Sequence, residues 1–133
     1  MKIILCFGLF VFCFGPAPAQ DIQRIFSVDA QQVLADLDTN TSVIIDGRDS
    51  AKFCLGHLES AVCLNAFSDS AQKMLMHYLD YKSIFVYCTT ENRSETIIEI
   101  LQKLNYCGTI ICMMDGFSGW IENGFPVEKD IKN

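Results

Sequence analysis

The sequence predicts an α/β protein with a parallel sheet and helices on both faces. Three observations predict it. Ser42-Val43-Ile44-Ile45, Ser83-Ile84-Phe85-Val86-Tyr87 and Thr109-Ile110-Ile111-Cys112-Met113 are short, β-branched apolar runs. Each is continuous rather than alternating, as expected of strands covered on both sides. Helical patterns separate them, and strands alternating with helices give a parallel sheet.

The chain opens with "MKIILCFGLFVFCFGPAPAQ". Lys2 precedes an apolar run from Ile3 to Phe14, then Gly15-Pro16 and Ala17-Pro18-Ala19. A charged start, a short hydrophobic centre and an A-x-A ending are the plan of a secretory signal peptide. The run is too short for a transmembrane helix, which needs roughly 20 apolar residues. A lipoprotein signal at Cys13 is disfavoured by bulky Phe12. The expectation is a leader over residues 1–19 and a single domain over 20–133, 133 − 19 = 114 residues, enough for one core.

Helical patterns follow in order. Asp29 to Leu37 places Val33, Leu34 and Leu37 on one side, with Ser27 or Asp29 able to cap. Ser70 to Tyr78 carries Ala71, Leu75 and Tyr78. Ser94 to Asn105 carries Ile97, Ile98, Leu101 and Leu104. The polar ending "VEKDIKN" reads as a fraying tail.

The formal charge is −6, and loss of Lys2 with a leader gives −6 − 1 = −7. An acidic chain without a basic cluster excludes nucleic acid and anionic membrane surfaces as expected partners. No stable membrane association is expected once the leader is gone. Of seven cysteines, Cys6 and Cys13 fall in the leader. Cys54, Cys63, Cys88, Cys107 and Cys112 remain, an odd number, so at least one thiol is unpaired within a monomer. An exported compartment, periplasmic or extracellular, permits disulfides. No Cys and His spacing suits zinc, and neither a metal nor a cofactor is expected.

"VYCTTENRSE", residues 86–95, carries the chemistry. Cys88 falls just past the carboxyl end of a central strand, and a helix is expected to begin near Arg93 or Ser94. Ligands bind at that edge of open α/β sheets. Loop N–H groups and a helix N-terminus there favour anions. A thiol beside them, with Arg93 nearby, is expected to ionise readily. Asn92 with Glu95 has the spacing of a capping box.

"IIDGRDSAKFCLGHLESAVCLN", "VYCTTENRS" and "MMDGFSGWIENGFPV" resemble the successive signatures of the rhodanese-like domain. These are Asp-x-Arg, Phe-x-x-Gly-His-Leu, Cys-x4-Arg-Ser and Gly-Phe-x-x-Trp…Gly-Phe-Pro-Val, in order from about Val28 to Val127. The resemblance implies a five-stranded parallel sheet and a cysteine that carries sulfane sulfur as a persulfide. Cys88 matches the persulfide carrier, and Thr89, Thr90, Glu91, Asn92 and Arg93 form its loop. Asp46 and Arg48 match a supporting ion pair. His57, Phe117 and Trp120 match structural positions. The implied partners are a small sulfur donor and a thiol or cyanide acceptor, or a protein persulfide.

Some residues depart from the pattern. Glu91 stands where glycine is usual, and Glu59-Ser60 replaces Pro-Gly. Relatives that use thiosulfate carry basic residues near the loop, for which Lys52 is the available substitute. Sulfur transfer is therefore expected, with thiosulfate a poor donor. The alternatives are a non-catalytic binding module of the same fold and a thiol-redox protein using Cys112 or Cys54. A phosphatase of the Cys-x5-Arg type is excluded by one missing residue and by Tyr87 before the cysteine.

Overall fold

The computed structural model describes residues 20–90 and 92–130. The expected leader lies outside the described residues. The elements are β1 (Ile22–Ile25), α1 (Ser27–Asp36), β2 (Ser42–Asp46), α2 (Ser50–Leu55), β3 (Val62–Cys63), α3 (Ala71–Leu75) and a 3-10 turn (Met76–Tyr78). They continue with β4 (Ser83–Tyr87), α4 (Asn92–Lys103), β5 (Thr109–Met113) and α5 (Gly116–Glu122). The five strands form one all-parallel sheet in the order β1-β5-β4-β2-β3.

The sheet has a core on each face, and this explains the continuous apolar runs. Along β4, Ile84 and Val86 face the cluster built with Ile97, Ile98 and Leu101 of α4 and Ala71 and Leu75 of α3. Phe85 and Tyr87 face the other side, with Ala30 of α1 and Trp120 of α5. β5 divides in the same way, Ile110 and Cys112 against Ile111 and Met113. β4 and β5 each bury four of their five residues, and burying one large apolar side chain contributes ~1.5–3 kcal/mol.

Several expectations need correction. The long pattern from Ser70 to Tyr78 is one turn of α-helix followed by a 3-10 turn. Neither Ser27 nor Asp29 caps α1: Phe26 occupies the cap position without a side-chain bond. Asp115, just before α5, serves that end instead. It accepts the Ser27 N–H at 2.8 Å and the Ser27 hydroxyl at 2.5 Å. A carboxylate at a helix N-terminus is favoured by the dipole whichever element supplies it. The Glu95 carboxylate does not turn back to Asn92. It is taken by Arg24 of β1, 2.9 Å away, a half-exposed pair.

The tail is also held. Glu128 and His57 exchange backbone hydrogen bonds at 2.8 and 2.9 Å, an isolated antiparallel bridge. The Asp130 carboxylate lies 3.0 Å from Nε2 of His57. Residues 131–133 of the tail lie outside the described residues.

Candidate active site

α4 follows β4 onto one face, and α5 follows β5 onto the other. Adjacent strands whose helices part in this way open a crevice at their carboxyl ends. Cys88 lies there, one residue past β4. It is 2 % exposed, and its thiol donates to the Thr90 carbonyl at 2.9 Å. Thr89 and Thr90 are exposed, and α4 begins at Asn92, also exposed. Glu91 lies outside the described residues.

The start of the loop is fixed from below. Phe117 N–H donates to the Cys88 carbonyl at 2.7 Å, and Ser118 N–H to the Thr89 carbonyl at 3.2 Å. These are donors from the first turn of α5, which has no earlier carbonyls to bond. Close approach requires Gly116, whose φ is +59°. A Cβ there would stand 2.5 Å from the carbonyl oxygens of both Cys88 and Thr89.

Asp46 and Arg48 form the expected structural pair. Both are buried, with Nη2 2.7 Å from Oδ2 and Nε 3.0 Å from Oδ1. The Arg48 N–H also donates to Asp46, and Nη2 reaches the Gly56 carbonyl at 2.6 Å. The guanidinium lies over the Phe117 ring, 4.0 Å from its centroid. A buried charge pair is retained at low cost only when its remaining protons are bonded, and these contacts supply that. Burial works to lower the Arg48 pKa, but Asp46 outweighs it and leaves the guanidinium more firmly charged. Burial, then the charge of Asp46, pushes the Tyr87 phenol far up, so it stays neutral and accepts the Leu58 N–H at 3.0 Å.

Arg93 is half-buried. Its Nη1 donates to Asn65 Oδ1 at 2.8 Å, and its guanidinium lies 4.5 Å from the Phe67 centroid. Asn65 and Phe67 follow β3, the far edge of the sheet, and sequence reasoning passed over both. A polar and an aromatic residue directly after a short strand were the available signal. Lys52 is exposed on α2, where its backbone N–H is capped by Asp49 at 3.0 Å. His57 is buried, stacks on Phe53 with centroids 3.9 Å apart, and holds the tail. Trp120 is buried and donates to the Pro126 carbonyl at 2.9 Å.

Cys112 lies on β5 opposite Val86 and is fully buried. Burial, then the charge of Glu95, pushes its thiol up to about 11. Among the described residues, no three His, Cys, Asp or Glu side chains are placed to hold a metal ion.

A doubly covered parallel sheet with a thiol at the carboxyl end of its central strand defines a class of α/β proteins with a cysteine at the crevice. Within that class the family is specific. The rhodanese-like domain family matches residues 29–123, and the chain belongs to it. Curated relatives include the tRNA uridine(34) hydroxylase of Buchnera aphidicola, 28% identical over 108 residues, 75% of this chain. The chain spans 33% of that protein, about a third of its length. Among solved structures, a rhodanese-related protein from Thermoplasma volcanium is 24% identical with a TM-score of 0.64, covering 80% of this chain and 97% of its own. A protein from M. tuberculosis superposes with a TM-score of 0.69 at 18% identity, over 84% of this chain and 99% of its own. The thiosulfate sulfurtransferase of Pseudomonas aeruginosa has a TM-score of 0.65 at 16% identity, with 84% of this chain matching 21% of that one.

Proposed function

We propose that the protein is a sulfurtransferase that carries sulfane sulfur on Cys88. The observation that carries this reading is the position of the Cys88 thiol, at the crevice between β4 and the N-terminus of the 12-residue α4. The thiolate attacks the sulfane sulfur of a donor and expels the donor's remainder with its electron pair. With thiosulfate, Cys88–S⁻ and S–SO₃²⁻ give Cys88–S–S⁻ and sulfite. A thiolate or cyanide then attacks the outer sulfur and releases Cys88–S⁻. The proton that the Cys88 thiol donates to the Thr90 carbonyl must leave first, so that bond belongs to the resting thiol.

Two features narrow the reading. Cys88 is almost fully covered at rest and its thiol is turned onto the Thr90 carbonyl, so reaction with a donor requires that bond to open. The buried Cys112 thiol, with its raised pKa, is a poor resolving partner, which counts against a thiol-redox role. Export with removal of residues 1–19 is part of the proposal. It predicts that the protein recovered outside the cytoplasm begins at Gln20.

Intact mass after incubation with sulfur donors tests the chemistry. The parent protein gains one sulfur, reversed by reductant, and Cys88→Ser gains none and transfers none. Persulfide on the Cys88→Ser variant refutes the assignment. Absence of sulfur on the parent with every donor, thiosulfate and small persulfides included, supports the binding-module alternative.

A further inference from the structure

The sheet is covered unevenly on the face that carries α1 and α5. Ile44 of β2 is paired with Phe85 of β4, and both turn to that side. Phe85 is fully buried, but Ile44, on an interior strand, is only half-buried. The space left open there is a cavity of about 370 Å³, with Ile44 in its lining. Sites for small organic molecules span about 300–1,000 Å³ and are mostly apolar, with a few polar groups that fix orientation.

The walls are apolar and held in place. α1 supplies Leu34 and Leu37, and Leu58, Trp120 and Pro126 complete them. The Leu58 N–H donates to the Tyr87 hydroxyl at 3.0 Å, and the Trp120 indole N–H donates to the Pro126 carbonyl at 2.9 Å. Next to Leu58, His57 is bridged to Glu128 by two backbone hydrogen bonds. The cavity is therefore formed before any ligand arrives.

The lining also has a polar part. Ser60 contributes to it with a φ of +62°, a left-handed conformation that is costly for any residue but glycine. Backbone strain of this kind gathers at binding sites. Glu59 is the only charged residue that lines the cavity, and it is exposed. None of the ion pairs among the described residues uses it.

We propose that this cavity binds a small organic cation, with an apolar body among Leu34, Leu58 and Trp120 and an ammonium group at Glu59. An anion of the same shape would meet a carboxylate and no cation in the lining. None of the lining residues belongs to the Cys88 loop, so the inference does not depend on what Cys88 carries.

Trp120 is the only tryptophan in the chain, so its fluorescence reports on the cavity. The full chain is titrated near neutral pH with hexylammonium, hexanol and hexanoate. Hexylammonium is expected to give a saturable change in Trp120 emission, and to bind more tightly than hexanol, which binds more tightly than hexanoate. Glu59→Gln is a surface change that spares the core. It should weaken hexylammonium by up to about fivefold, the worth of an exposed ion pair, and leave hexanol unchanged. Absence of a saturable change with hexylammonium, equal binding of hexylammonium and hexanoate by the parent, or unaltered hexylammonium binding by Glu59→Gln overturns the proposal. So does Trp120 emission that shifts with protein concentration alone as a dimer appears in sedimentation, which would give the cavity to a second copy of the chain.

Discussion

Gly116→Ala tests the link between α5 and the Cys88 loop. The substitution has two costs that the structure separates. A φ of +59° puts alanine in the left-handed region, at roughly 1–2 kcal/mol. The new Cβ would also meet two carbonyl oxygens at 2.5 Å and the Thr89 carbonyl carbon at 2.7 Å. All three are backbone atoms, so α5 or the loop must shift, an overpacking cost of about 1–3 kcal/mol. The expected loss is ~2–5 kcal/mol, a large part of a total that is typically about 5–15 kcal/mol. Gly124 provides the control. Its φ is +71°, and a Cβ there meets nothing within 4 Å, so Gly124→Ala carries only the first cost. Urea denaturation of both variants measures the difference, expected at about 1–3 kcal/mol. Alkylation of Cys88 reads the displacement: Gly116→Ala alters the rate, and Gly124→Ala leaves it unchanged. Equal stabilities with equal alkylation rates would show that the α5 contacts do not fix the loop.

Arg93→Ala removes a cation from the start of α4 together with a hydrogen bond to Asn65, worth ~1 kcal/mol. Stability should fall little, while the rate at which an anionic sulfur donor loads Cys88 falls; an unchanged loading rate would confine Arg93 to bracing Asn65 and Phe67. For His57, burial works to lower the pKa, but the Leu58 carbonyl, then Asp130 and Glu128, outweigh it and raise it above 6.5. A folded pKa above the unfolded one means this contribution is complete below pH 6.5 and is lost as pH rises through the folded value. Unfolding free energy measured from pH 5 upward should show that decline, and Asp130→Asn should flatten it. Glu91 places a carboxylate in the loop sequence, so Glu91→Gln should raise thiosulfate turnover; even ~1.4 kcal/mol of relieved repulsion is about tenfold in binding. Equal thiosulfate turnover by parent and variant at low salt would remove Glu91 from donor selection.

The parts of the fold that were legible in the sequence are those with local causes. β2, β4 and β5 are apolar throughout because helices cover both faces, and Cys88 is placed by the end of such a strand. β1 was not legible. Its four residues, IQRI, are an edge strand with two exposed members, and the pattern carries no continuous run. β3 has two residues, and α2 has six, too few for a period. The cap of α1 comes from Asp115, 88 residues from Ser27, and the partner of Glu95 comes from Arg24, 71 residues away. Those choices are made by tertiary packing, which overrides a local capping pattern. The same applies to the site, where Asn65 and Phe67 reach Arg93 across the sheet. The tail looked free because its sequence is polar, yet it is held on His57 by a backbone bridge at Glu128, which composition does not report, and by the Asp130 carboxylate.

The pairing of β1 with β5 sets an order of assembly. Ile22 is matched to Ile110, so the first strand of the domain has no partner until the last has been synthesised. β4 gains its second neighbour only at the same moment. Closing a loop of that length is an entropic cost met before its contacts form, and such topologies fold slowly. A ribosome that has released three quarters of the domain therefore holds a chain whose central strand is still unpaired on one side. Until β5 emerges, that open edge is available to a chaperone.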